Sequence, residues 1–202
     1  CGVFYEYKLV ISNTIFFEVI KMLITIAAAA MVMAAYFLLL YGGVGFIQDK
    51  RFFGSAHKDV LAVIPDKKPE RFRGAHIVGG VIIAVSFLLF AGALVLSVWD
   101  GVRNGFSFWG FFGRFIAVLY VMEIYDILFF DWCLLCHSNF FPYFYPEIKG
   151  IVGPHMFGYN KKQHFLHFLI YIPACTIAAW ICTLLHLSLI HISEPTRLLS
   201  IS

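Results

Sequence analysis

The stretch FWGFFGRFIAVLYVMEIYDILFFDWCLL, residues 108–135, decides how this chain is read. It is long enough to cross a bilayer, which needs about 20 apolar residues. Yet it carries Arg114, Glu123, Asp126 and Asp131. An acid at the bilayer centre costs roughly 2.5–3.5 kcal/mol on insertion scales, so such residues turn toward protein or water. On an ideal helix, with about 100° per residue, Glu123, Asp126, Cys133 and His137 share an edge roughly 80° wide. Asp131 lies off that edge, and Arg114 lies opposite Glu123. The stretch therefore predicts a membrane helix with one polar edge facing the interior of a bundle.

Three more apolar runs flank it, at 22–41, 76–99 and 165–185. The run 22–41 carries alanines at 27–30, 34 and 35. That is a small-residue face of the kind that lets helices in lipid approach closely. Pro173 predicts a kink in the last run. The expected fold is all-α: a polytopic membrane protein built as a four-helix transmembrane bundle. Composition agrees. The 202 residues are 61% hydrophobic and 13% charged, where a soluble domain carries about 25% charge. A net charge of +3 without a basic stripe excludes a nucleic-acid surface. The expected partner is the lipid bilayer, with a second copy or a membrane partner subunit as further options.

Basic residues set the orientation. The connection 48–75 holds Lys50, Arg51, Lys58, Lys67, Lys68, Arg71 and Arg73, and the connection after the third run holds Lys149, Lys161 and Lys162. The connection 100–107 holds only Arg103. The positive-inside rule places the first and third connections in the cytoplasm of a multi-pass protein of the cell membrane.

The domain reading has three parts. Residues 1–21 mix apolar and charged positions and read as an interfacial segment at a fragment start. Residues 22–186 form the four-helix membrane domain. Residues 187–202 begin with LSLIHISEPTR, which resembles the direct translation of a transposase-type sequencing adapter. That tail is expected to be non-native, and His191, Glu194 and Arg197 are set aside with it.

Three groups of residues could carry chemistry. Glu123, Asp126 and Asp131 form the first, an intramembrane polar site suited to protons or cations, or to the acidic part of an enzyme site. The second is Cys133-Leu-Leu-Cys136-His137, a literal C-x-x-C-H. That spacing serves haem attachment or a redox dithiol, but both want an oxidising compartment, and the charge pattern puts it on the reducing side. Small packing residues are the simpler reading, as for Cys175 and Cys182. The third group is histidine. His137, His155, His164 and His167 fall near one membrane face. His164 and His167 are three apart, adjacent on a helix. His137, His164 and His167, with Asp131 or Glu147, could hold zinc or iron. The alternative is no cofactor, with interfacial histidines whose tips sit among headgroups.

Three classes of function follow. One is a small transporter or channel-like protein using the intramembrane acids. The second is a membrane-embedded enzyme acting on lipid or quinone, with a His/acid site at the cytoplasmic face. The third is a structural subunit of a membrane complex. A water-filled path to Glu123 favours transport, and three or more His, Asp or Glu side chains converging at metal-bond distance favour an enzyme. Acids that face lipid favour the subunit.

Overall fold

The computed structural model describes residues 2–53 and 56–198, with side chains described for 15–53 and 56–188. Among these residues the chain is helical, with one isolated bridge between Asp49 and Lys67 and no strands. The long helices are α1 (Gly2–Gly42), α3 (Ala75–Arg103), α4 (Phe108–Tyr125) and α6 (Lys161–Leu198). Two short helices, α2 (Lys58–Val63) and α5 (Phe140–Phe144), lie in the connections.

Among the described residues three helical stretches are long and apolar enough to cross a membrane: Ile15–Ile47, Ala75–Arg103 and Lys161–Ser188. The apolar runs of the sequence predict four. The missing one is the charged stretch itself, which is helical throughout but interrupted by Arg114, Glu123, Asp126 and Asp131. The expected interfacial segment at 1–21 is continuous with the first apolar run, since α1 starts at Gly2. The backbone of α6 runs on to Leu198. The side chains of His191, Glu194 and Arg197 lie outside the described residues, as do residues 199–202.

Small residues make the α1–α3 contact close. Ala28 and Ala35 are fully buried, and the Ser86 hydroxyl donates to the Ala35 carbonyl at 2.7 Å. At Gly79 an added Cβ would stand 2.8 Å from both Ile47 Cγ1 and Phe46 Cβ, so only glycine fits there. This is the small-residue packing by which helices associate without a hydrophobic drive between them. Outward, the same bundle presents large apolar side chains: Ile77, Leu88 and Val95 of α3 and Phe165 and Ile177 of α6 are all exposed. Apolar surface of this extent marks an interaction surface, here one suited to lipid.

The two connections 43–74 and 137–160 pack onto each other at one end of the helices. Lys68 Nζ donates to Glu147 Oε2 at 2.8 Å, and Gln48 Nε2 donates to the Phe144 carbonyl at 3.3 Å. Beneath them lies the largest buried cluster, which includes Phe53, Phe130, Phe141, Tyr145 and Ile148. This cap closes the end of the bundle where the site sits.

Candidate functional site

The site forms where α4 passes into a π-helical segment, Asp126–Cys136, and faces α6. In a π-helix hydrogen bonds run i→i+5, so residues five apart stack on one face. Asp126 and Asp131 are five apart. The wider turn therefore carries Asp131 back to the edge that Glu123 and Asp126 occupy, from which an ideal α-helix would have rotated it away. The same change moves Cys133 and His137 off that edge.

On α6, His164, His167 and Tyr171 recur at spacings of three and four, which is one helix face. Tyr120 of α4 fixes the register between the two helices: its hydroxyl donates to the Phe168 carbonyl at 3.1 Å, and its ring packs edge-on against Phe168. Glu123, one turn further along α4, then meets the α6 face.

Glu123 is 1% exposed and accepts from three side chains. Its Oε1 lies 2.8 Å from His164 Nδ1 and 3.0 Å from His167 Nδ1, and its Oε2 accepts from the Tyr171 hydroxyl at 2.7 Å. The other His164 nitrogen, Nε2, lies 2.9 Å from Asp131 Oδ2. Asp126 Oδ2 is 3.8 Å from His164 Nδ1, near but not bonded. A carboxylate only accepts, so His164 donates from both nitrogens when both acids are ionised. One imidazole thus bridges two carboxyl groups from two turns of the facing helix.

Next to this centre is a cavity of about 320 Å³. Asp126 and Asp131 form part of its wall; Glu123 does not. Most of the remaining lining is apolar, including Tyr36, Leu40 and Phe141, and Arg51 stands among the lining residues from the connection 48–75. Arg51 is bound to Asp49 by two side-chain contacts, Nε to Oδ1 at 3.0 Å and Nη2 to Oδ2 at 2.8 Å. These bonds pull the Asp49 carboxyl down to about 2. Lys68 acts likewise on Glu147, which lies below the usual range.

The remaining sequence candidates sit elsewhere. His137 is exposed, with Nδ1 2.7 Å from the Trp132 carbonyl. Glu147 is engaged by Lys68 on the cap. Cys133 and Cys136 are free thiols, Cys136 packed in the cap cluster, and Cys175 and Cys182 pack against Phe111 and Phe115. Tyr171 is a member of the site that the sequence candidates omit. Its position four residues after His167 is the one signal that points to it. Arg114 has its partner in Asp100, at 2.7 Å and almost fully buried, near the opposite end of α4.

Comparison with protein-family models, with curated proteins and with solved structures finds no match to this chain.

Proposed function

We propose that this chain is a multi-pass protein of the cell membrane and an enzyme acting on the polar end of a lipid- or quinone-class amphiphile. The carrying observation is the convergence of Glu123, His164, His167 and Asp131 beside an apolar cavity whose wall includes Asp126 and Asp131. Binding sites for small molecules are mostly apolar, with a few convergent polar groups, and span roughly 300–1,000 Å³. Asp126 and Asp131 are the members that would touch the substrate. Glu123, His164 and Tyr171 lie behind them.

In this reading the charged stretch is the fourth membrane span. Two facts support it. The helix is continuous through α4 and the π segment, 18 and 11 residues. Its charges are sheltered, with Arg114 paired and Glu123 buried. The cap of connections 43–74 and 137–160 is the cytoplasmic face, where the basic residues concentrate. Transport is the weaker reading, because the cavity wall stops at Asp126 and Asp131 and does not include Glu123. A subunit role is also weaker, because the side chains of Asp126 and Asp131 are only 18% and 16% exposed.

The test is untargeted. The protein in nanodiscs is incubated with a total lipid and quinone extract, and the extract is compared by mass spectrometry before and after. At least one lipid or quinone species should change mass with the native chain and not with Asp126→Asn. An unchanged extract, together with an Asp126-dependent proton or cation flux in sealed vesicles, would establish transport instead.

A further inference from the structure

We propose that Glu123, His164 and His167 bind a first-row divalent transition metal of the zinc class, with Asp131 orienting His164 from outside the coordination shell. Each of the three residues offers a ligand atom within 4.8 Å of the other two, and the Nδ1 atoms of both histidines face Glu123 Oε1. Two imidazoles and one carboxylate, with a further position open, are a donor set that suits zinc and non-haem iron. Metal–ligand bonds of about 2.0–2.2 Å in a tetrahedron put ligand atoms about 3.3 Å apart. The two nitrogens stand 2.8 and 3.0 Å from Oε1, so each has only a few tenths of an ångström to move away from that oxygen.

Two features distinguish this cluster from an ordinary buried hydrogen-bond network. Both histidines aim the same ring atom, Nδ1, at the same carboxylate oxygen. In addition, the second nitrogen of His164 faces Asp131 Oδ2 at 2.9 Å. Metal-bound histidines characteristically give their other N–H to a carboxylate, which fixes the tautomer and the ring plane. Asp126, 3.8 Å from His164 Nδ1 and on the cavity wall, is placed to supply the fourth ligand or to flank a water there. An ion so held would sit behind the cavity wall and would reach a substrate oxygen or a water only past Asp126. The inference concerns the same site as the enzyme reading and rests on it only for that reaction. The binding itself is read without turnover, so either can fail alone.

The experiment is metal loading of the full chain in nanodiscs. The protein is stripped with a chelator, re-equilibrated with Zn²⁺ in excess Mg²⁺, and its metal content measured by plasma mass spectrometry. The native chain should retain about one zinc per molecule, as a single site of this donor set requires. His167→Phe should hold less than about a tenth of that, and Asp131→Asn should bind roughly 10–100-fold more weakly, the usual cost of losing such a carboxylate. Zinc retention by His167→Phe equal to the native chain would overturn the proposal, as would a native chain that retains none. Should His167→Phe fail to fold by circular dichroism, the native chain loaded with Co²⁺ decides. Its visible spectrum should show the ligand-field bands of nitrogen-bound cobalt, and a spectrum equal to that of aqueous Co²⁺ overturns the site.

Discussion

Among the described residues, two buried polar centres lie one toward each end of α4, and they are built on opposite principles. At one end Arg114 and Asp100 form a closed pair, with side chains 2% and 4% exposed. Arg114 uses all three guanidinium nitrogens. Nε donates to Thr25 Oγ1, Nη1 to the Ser97 carbonyl and Nη2 to the Lys21 carbonyl, while Nη2 also makes the ion-pair contact with Asp100 Oδ2. The guanidinium lies over the Phe106 ring, and Asp100 Oδ1 accepts from Asn104. One positive charge meets one negative charge, and no guanidinium nitrogen is left over. At the other end three carboxyl groups meet two imidazoles, and two of the acids form part of a cavity wall. Arg114 borders an open hollow shared with Lys21, Thr25 and Asn104, but its charge and its donors are already satisfied, and a balanced centre of this kind holds helices together. An unbalanced centre next to a cavity has capacity left for a ligand.

Substitution can break this contrast, and the closed pair should respond most. Arg114→Met leaves Asp100 buried without its partner, which costs about 3–5 kcal/mol. The double variant Arg114→Met with Asp100→Leu should recover most of that loss, because replacing both partners by apolar groups is often neutral or stabilising. Thermal unfolding of the three proteins in one detergent checks this. A double variant no more stable than the single one would mean that the pair specifies the fold and does not merely fill it.

Glu123→Gln comes next. The carboxylate accepts three hydrogen bonds, and hydrogen bonds to charged groups contribute about 1.5–3 kcal/mol. A loss of about 2 kcal/mol is expected, since the amide oxygen can still accept one or two of them. The same unfolding measurement applies. A loss as large as that of Arg114→Met would erase the distinction between the two centres. Glu123 thus has a structural share, and a change at this position cannot isolate function.

Asp126→Asn isolates it. Asp126 stands 3.8 Å from His164 and lines the cavity, so it holds little of the fold together. Its substitution should shift stability by less than about 1 kcal/mol. In the mass-spectrometric assay it should remove turnover all the same. A large stability loss with turnover retained would reverse the roles given to Asp126 and Glu123.

The helices are legible in the sequence because apolar length is a strong signal, and the alanine face at 27–35 is legible because small residues have few other uses in lipid. The right helix for the polar edge is legible too. The phase of that edge beyond Asp126 is not. Hydrophobic periodicity assumes 3.6 residues per turn, and nothing in DILFFDWCLLC announces a wider turn. That one assumption puts Asp131 outside the edge and His137 inside it, whereas Asp131 meets His164 and His137 is exposed. The Asp100–Arg114 pair is hidden for a different reason. The two lie on separate helices joined by a short turn, and a sequence pattern that assigns Asp100 to that turn gives no cause to bring it to Arg114.

A third polar pair, at the solvent boundary, sets the lower end of the scale. Asp49 and Arg51 are joined by two side-chain contacts on the connection 48–75, with the Arg51 side chain 85% exposed. The Asp49 side chain is 10% exposed, but the guanidinium end is solvated, and pairs with one partner open to water contribute little to stability. Their signature is the pH dependence. The Asp49 carboxyl titrates at about 2 in the folded chain, below the ordinary carboxylate range, because Arg51 binds its charged form. Between about 2 and that ordinary range the unfolded chain holds more protons than the folded one, so stability rises with pH there. The contribution is complete above the ordinary carboxylate range and is lost as the pH falls through about 2. Asp49→Asn should flatten the acid limb of stability against pH slightly and leave neutral stability almost unchanged. High salt should shrink the native limb toward that of the variant, because exposed charges are screened. If the native chain and the Asp49→Asn variant instead share one acid limb at low salt, the pair forms equally well in the unfolded chain. That outcome is open to it because Asp49 and Arg51 are only two residues apart, and it would separate this pair from both buried centres, whose partners folding alone brings together.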